Sequence, residues 1–286
     1  LTGTVADARI STLTASKLTG ALPAISGASL TGITDTLSHR NVIINGDMRV
    51  AQRSTSESFA AISDYLPSKF VVDRARMNFY YSADYTVSQS TEAPDGFGKS
   101  LKFDVTGADS SVHSGCNTLL EFYLEGQDIQ QFKKGTSAAE KYCLSFYVKT
   151  NKNGIYNVQL ADANSRMANR QFTVADNNWN RYTLVYDADT TGAAACDNTA
   201  ELTVRFWLDG GSSYDQSTTI DGSWLTHASR CPSQTPLGDS TSNEFHITGV
   251  QLEVGDTATT FEHRSYGEEL ARCQRYYYRH ATGSVA

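Results

Sequence analysis

The sequence has no long apolar run. Nowhere in its 286 residues is there a stretch approaching the roughly 18 apolar residues of a membrane-spanning helix, and no basic segment precedes an apolar one as in a secretory leader. We therefore expect no membrane insertion. The chain begins at Leu1 rather than Met and stops within an aromatic and basic stretch, so we expect it to be a piece of a longer polypeptide.

Positive charge and paired cysteines are also scarce. The formal net charge is -7, and acidic and basic residues are interspersed, so no basic stripe is present to follow a phosphate backbone. We exclude nucleic acid as a partner. The five cysteines are odd in number, widely spaced and without a C-x-x-C pair. They predict reduced thiols rather than a disulfide framework or a zinc site, which fits assembly in a cytosol.

Motifs for nucleotide, metal or nucleophilic chemistry are missing as well. The stretch "APDGFGKS" ends as a phosphate-binding loop does, but Ala93 replaces its first glycine and a strand-like stretch follows where a helix must begin. The six histidines have no metal-ligand spacing, and no G-x-S-x-G turn occurs. Carboxylates are plentiful, so a glycosidase pair stays open as an alternative. We predict a protein that is not an enzyme, with no catalytic residues, cofactor or metal.

What is present falls into three segments, the first of which is residues 1–36. It carries Leu-Thr-Gly three times among small and β-capable residues, with no aromatic residue. Such pieces cannot bury an apolar face alone and need stacked neighbours or partner chains. The segment therefore predicts a thin stalk of several chains, and closed symmetry makes a homotrimer our expectation. A disordered linker is the alternative.

Residues 37–263 consist of short alternating stretches separated by turns. "YCLSFYVKT" and "ELTVRFWLD" each place apolar side chains on one face, and "EFHITGVQLEV" does so only if Gly249 forms a bulge. Many such strands predict an all-β fold, an antiparallel β-sandwich of the jelly-roll type. Residues 264–286 predict a short C-terminal helix and extension.

Three stretches, "NVIINGDMRVAQR", "GQDIQQFKKGTSAAEKYCLSFYVKT" and "ITGVQLEVGDTATTFEHRSYGEELARCQRYYY", carry a resemblance. From about His39 to its end the chain resembles a family of bacteriophage virion proteins of marine and cyanobacterial phages, described as tail-fibre or receptor-binding structural proteins. More remotely it is similar to the jelly-roll carbohydrate-binding modules of glycosidases. The resemblance implies a fibre shaft followed by a head, in a virion that is assembled in the bacterial host cytoplasm.

The remote resemblance also implies two residue roles. Trp179 matches a position that jelly rolls use for packing, so we expect it in the core. The modules hold a structural calcium near an acidic opening, where this chain has Asp47 but Arg49 in place of a Glu, and Thr248 in the closing strand. Calcium prefers several oxygen ligands, so we expect the site to be lost.

Strand alternation suggests one outward sheet face as the binding surface. If the strands are neighbours, aromatic and hydrogen-bonding side chains gather there, as needed to hold a sugar ring or to form a subunit interface. We predict that truncation of Trp207 spares folding because the fold does not need it. The candidate ligand-binding residues, for a glycan or an interface, are Trp207, Arg205, Tyr147, Lys149, Asn157, Gln159, Glu121 and Tyr123.

These observations lead to two functional hypotheses. The first is a trimeric, non-enzymatic tail fibre whose head attaches to host-surface polysaccharide. The second is a capsid-surface fibre, decoration or adaptor protein that only docks on other virion proteins, of the tail or the capsid. A depolymerase is a third reading and needs a carboxylate pair in a cleft.

Overall fold

The computed structural model describes residues 39–60, 62, 64–215, 220–226 and 231–279. The predicted stalk, residues 1–36, lies outside the described residues, as does the end of the C-terminal extension. Among the described residues, no helix has the length and apolar character that a membrane crossing requires.

The described residues form thirteen strands in two antiparallel sheets. The strands are β1 (Ser56–Phe59), β2 (Tyr65–Phe70), β3 (Arg76–Tyr80), β4 (Asp84–Ser90), β5 (Ser100–Gly107), β6 (Asn117–Glu125), β7 (Tyr142–Thr150), β8 (Gly154–Asp162), β9 (Arg166–Val174), β10 (Asn180–Tyr186), β11 (Ala200–Gly210), β12 (Trp224–Thr226) and β13 (Glu244–Val254). The six-stranded sheet has the order β1-β4-β5-β13-β7-β10, and the seven-stranded sheet has the order β12-β9-β8-β11-β6-β3-β2. The predicted jelly-roll β-sandwich is confirmed.

One apolar core lies between the two sheets. It follows from the period of two along each strand, which turns alternate side chains inward. The ring of Phe146 in β7 meets the ring of Phe206 in β11 edge-on, with centroids 4.9 Å apart, so the two sheets interlock at their centre. The predicted inward residues of these two strands are all buried: Tyr142, Leu144, Phe146 and Val148 in β7, and Leu202, Val204, Phe206 and Leu208 in β11.

The predicted bulge in β13 is confirmed. Gly249 has a φ of 64°, in the left-handed region, and the pairing of β13 with β7 shifts register between Thr248 and Gln251. A side chain at this position would also meet the ring of Phe97, since a Cβ would lie 2.8 Å from that ring. Only glycine satisfies both demands.

The C-terminal helix α1 (Tyr266–Gln274) packs against the sandwich. Ser265 caps it by accepting a hydrogen bond from the Glu268 amide. Just before it, the buried Arg264 guanidinium donates to the carbonyl of Asn41 and lies 3.4 Å from the Glu269 carboxylate. The helix thereby holds the first described residues of the chain in place.

Trp179 is not in the core, contrary to the sequence expectation. It precedes β10 by one residue and shares the outward direction of Arg181, so it lies half-buried on the outer face of the six-stranded sheet. There its ring meets the edge of the His246 ring, with centroids 6.0 Å apart. The alternation of side chains leading into β10, rather than the residue type, places Trp179 on the outer face.

Candidate functional site

A row of polar side chains crosses five neighbouring strands on the outer face of the seven-stranded sheet. Directly paired residues of neighbouring strands point to the same face and lie close together, so the row is continuous. We call these five residues the polar row: Arg76 of β3 pairs with Glu121 of β6, Glu121 with Arg205 of β11, Arg205 with Gln159 of β8, and Gln159 with Asn169 of β9.

The carboxylate of Glu121 is the centre of the row. Arg205 Nε donates to Oε1 at 2.9 Å, and the Tyr123 hydroxyl donates to Oε2 at 3.2 Å. Arg76 lies 3.6 Å from Oε2 and donates to the same tyrosine hydroxyl. The Glu121 side chain is only 2% exposed. A buried carboxylate needs such charge-assisted partners, and they in turn fix both guanidinium groups.

The surroundings of Tyr123 favour the protonated form of its hydroxyl. Burial raises the pKa of its hydroxyl, and the neighbouring Glu121 carboxylate raises that pKa further. The hydroxyl therefore acts as a hydrogen-bond donor throughout the neutral range.

The other half of the row is an amide chain. Arg205 Nη1 donates to Gln159 Oε1 at 3.4 Å, and Gln159 Nε2 donates to Asn169 Oδ1 at 2.7 Å. Gln159 and Asn169 are buried, whereas the side chains of Arg205 and Arg76 are 23% and 25% exposed. The accessible part of the row is thus the arginine half, beside Tyr123.

Two residues before Gln159 in β8, at Asn157, the outer face of the sheet is covered by another segment of the chain. Asn157 and Gln171 both donate to the Pro232 carbonyl, at 3.2 and 2.6 Å, and Asn157 also donates to Gln234 Oε1 at 3.0 Å. The segment near Pro232 therefore lies on this part of the sheet. Asn157 faces outward as predicted, but it is held by the protein's own chain.

Trp207 also lies under this cover, which corrects the sequence prediction. It faces away from the core as the alternation requires, yet it is only 2% exposed. It packs with Leu119 and Cys231, and the ring of Tyr214 lies 5.0 Å away. The chain after β11 returns over its own strand, since Cys231 and Tyr214 both pack on Trp207, and the Cys231 amide donates to the Tyr214 carbonyl. Trp207 is part of a small second core rather than an open platform.

Tyr147 and Lys149 are not on this face, which corrects a second prediction. Their strand, β7, belongs to the six-stranded sheet, so they point out of the opposite side of the sandwich. There the Tyr147 ring packs 5.2 Å from Phe97, and Lys149 forms an ion pair with Glu92. The sequence showed that both residues face outward, but strand neighbours are set by pairing between distant segments.

Sequence reasoning missed Arg76 and Asn169. The alternation of "RMNFY" places Arg76 outward opposite the buried Met77 and Phe79, and the same rule places Asn169 outward beside the buried Ala168. The signal was available. Nothing in the sequence, however, shows that these two stretches pair with the strands of Glu121 and Gln159.

The residues near the implied calcium position do not fit a calcium ion. Asp47 is paired with Arg49, and Thr248 donates its hydroxyl to the Lys99 carbonyl at 2.8 Å. Within the described ranges, no group of three or more His, Cys, Asp and Glu side chains is placed to hold a metal. The guanidinium of Arg49 supplies positive charge where the resemblance would put a cation.

Comparison of the sequence with protein-family models and with curated proteins gives no match. Comparison with solved structures gives distant likenesses. The enzymatically active domain of bacteriophage CBA120 tailspike protein 4 is 11% identical, with a TM-score of 0.39, over 75% of this chain. The chain matches only 21% of that tailspike's length.

Two carbohydrate-binding modules are similar at the same level. A CBM4 module is 14% identical, with a TM-score of 0.33, over 74% of this chain and 99% of its own. The C-terminal family 22 module of Clostridium thermocellum Xyn10B is 10% identical, with a TM-score of 0.38, over 78% of this chain and 99% of its own. At these identities and TM-scores, the likenesses carry no argument about function.

Proposed function

We propose that this chain is a non-enzymatic component of a bacteriophage virion fibre, a homotrimer whose head binds a glycan of the host surface. The observation that carries the proposal is the polar row. It presents two partly exposed arginine side chains and a tyrosine hydroxyl, held in place on a sheet face by Glu121. The stalk-like repeat in residues 1–36 and the resemblance to virion proteins support the place of the head in a fibre.

The arginine half of the row suits sugar hydroxyls. Guanidinium groups are pure donors with several N–H directions, and the tyrosine hydroxyl both donates and accepts. Because Glu121 fixes Arg76 and Arg205 in advance, little side-chain freedom is lost when a ligand binds. Hydrogen bonds to charged groups contribute about 1.5–3 kcal/mol each. A few of them support the modest affinity that a multivalent fibre amplifies.

The row itself is built for binding rather than hydrolysis. A glycosidase needs two carboxyl groups about 5–10 Å apart, free to reach the scissile bond. Here both oxygens of Glu121 already accept hydrogen bonds, one from Arg205 and one from Tyr123. We expect incubation with host polysaccharide to release no reducing sugar. Release that depends on Glu121 would instead make the protein a depolymerase.

A second candidate function is structural docking on the capsid or tail. It is favoured by an aromatic cluster on the outer face of the six-stranded sheet. The rings of Tyr147, Phe261 and His263 all lie within about 5 Å of Phe97 and are at least partly exposed. Aromatic residues are enriched in interface cores. In this case, Phe261→Ala would remove the protein from purified particles without changing glycan binding.

The test of the proposal is glycan binding by the intact chain. An array of bacterial polysaccharides and lipopolysaccharides is probed with the wild-type protein and with Arg76→Lys, and Arg272→Lys on the helix is the matched control. We expect selective binding that Arg76→Lys weakens and Arg272→Lys leaves intact. If the array shows no binding, or if Arg76→Lys binds as well as the wild type, the docking function is favoured.

A further inference from the structure

A pocket lies at one end of the sandwich and shares no lining residue with the polar row. Its volume is about 290 Å³, and it lies between the turn that joins β3 to β4 and the segment that follows β5. Ligand pockets range from about 300 to 1,000 Å³, so this one is sized for a single ring. The lining residues that matter are Tyr81, Ser82, Asp84, Asp109 and His113.

One wall of the pocket is aromatic. The rings of Tyr81 and His113 lie 3.9 Å apart at 30°, and the ring of Tyr80 braces Tyr81 edge-on at 4.5 Å. Tyr81 is half-buried and His113 is exposed, so the stacked pair borders both the pocket and solvent. A flat ring held in this way is the surface on which the C–H face of a sugar packs.

The backbone at Tyr81 is strained. Its φ is 45°, in the left-handed region that bulky side chains avoid. Such conformations persist only where the surroundings enforce them, and they concentrate at ligand sites. Here the conformation turns the chain immediately after β3, where the ring enters the pocket wall.

The lining of the pocket also carries two carboxylates, those of Asp84 and Asp109. Asp109 is pinned, since its amide donates to the Gly238 carbonyl and its Oδ1 accepts from the Ser111 amide, both at 2.9 Å. Gly107 leaves room for Asp84, because a Cβ there would lie 2.6 Å from its Oδ2. Carboxylates accept hydrogen bonds from sugar hydroxyls. Among the described residues that line the pocket, none is Lys or Arg, so an anionic ligand would be repelled.

We propose that this pocket binds one neutral pyranose, as a carbohydrate site separate from the polar row. The Tyr81 and His113 rings supply the apolar platform, and Asp84 and Asp109 accept from adjacent hydroxyls. The pocket has room for one ring, and its two carboxylates disfavour uronic acids. The site does not depend on glycan binding by the polar row.

The experiment uses the intact chain and simple probes. Calorimetry and saturation-transfer NMR measure binding of the neutral methyl glycosides of galactose, glucose and mannose, with methyl galacturonoside as the acidic counterpart. We expect at least one neutral glycoside to bind with a Kd in the millimolar range and the acidic one to bind at least tenfold more weakly. Equal binding of the acidic probe, or no binding of any neutral one, would overturn the proposal.

Three variants locate the site. Tyr81→Gly keeps the left-handed backbone and removes the ring, and Asp109→Asn keeps the shape and removes the charge. Ala108→Trp fills the mouth from an exposed position, so it tests the site even if the others fail to fold. Each should weaken the neutral glycoside at least tenfold, whereas the exposed Asp256→Asn and Arg272→Lys on the helix should not. Unchanged binding in all three variants would show that the sugar binds elsewhere.

Discussion

Asp209 provides a prediction about stability that follows from one buried carboxyl group. Its side chain at the end of β11 accepts hydrogen bonds from the Tyr85 hydroxyl at 2.8 Å and from the Gly238 amide at 2.7 Å. Burial nevertheless raises the pKa of Asp209 from its ordinary 3.8 to about 7. At pH values between these two pKa values, the folded state keeps the Asp209 proton, whereas the unfolded state has released it. The stabilising contribution of that proton is therefore fully present below about pH 4 and is lost as pH rises towards 7.

The size of the effect follows from the shift. A difference of about three pKa units corresponds to about 4 kcal/mol, which is a large share of the stability of a domain. Asp209→Asn carries no charge at any pH, and its amide oxygen can accept both hydrogen bonds. We expect the free energy of unfolding of the variant, minus that of the wild type, to grow by about 4 kcal/mol between pH 4 and pH 8.

The assay is urea unfolding at closely spaced pH values for the wild type and Asp209→Asn, with the exposed Asp256→Asn as control. Taking the difference between proteins removes the contributions of the other titrating groups, provided they act independently. Parallel pH profiles for the wild type and Asp209→Asn would refute the reasoning and show that the carboxyl is charged in the folded state. If the pH profile of Asp256→Asn diverged from that of the wild type in the same way, the reasoning would also be refuted, because the effect would not be specific to Asp209.

Three other predictions concern stability and assembly. Because Trp207 is buried with Leu119 and Cys231, Trp207→Ala should lower the free energy of unfolding by about 3–5 kcal/mol, and an unchanged urea midpoint would contradict its placement. Chelators should leave the melting temperature unchanged, since Arg49 is paired with Asp47; a large loss with EDTA that calcium restores would show a structural ion. The intact chain should scatter light as a trimer at micromolar concentration, and deletion of residues 1–36 should weaken association; a monomeric intact chain would refute the stalk.

The local part of the fold was predictable because strand alternation is a local property. The inward faces of β7 and β11 follow from a period of two. The bulge at Gly249 follows from the single break in that period in β13. The outward directions of Arg205, Glu121 and Gln159 came from the same rule, so three of the five members of the polar row were predicted.

The remainder depends on contacts between distant segments. Alternation says that Tyr147 faces outward but not which sheet contains its strand, because pairing joins residues far apart in sequence. It also cannot show that a later segment covers Trp207. In sequence, an outward side chain that faces solvent looks the same as one that another segment covers. The pocket beside Tyr81 was missed for the same reason, as its walls come from two separate turns.

The most direct test of the proposed function is the affinity of the intact chain for the polysaccharide that the array selects, compared between the wild type and Arg205→Lys. Lysine keeps the positive charge near Glu121 but loses the planar fork that contacts both Glu121 and Gln159. We predict at least a tenfold loss of affinity for Arg205→Lys, no loss for Arg272→Lys, and no change in melting temperature for the control. Equal affinities for the wild type and a folded Arg205→Lys would contradict glycan binding at the polar row.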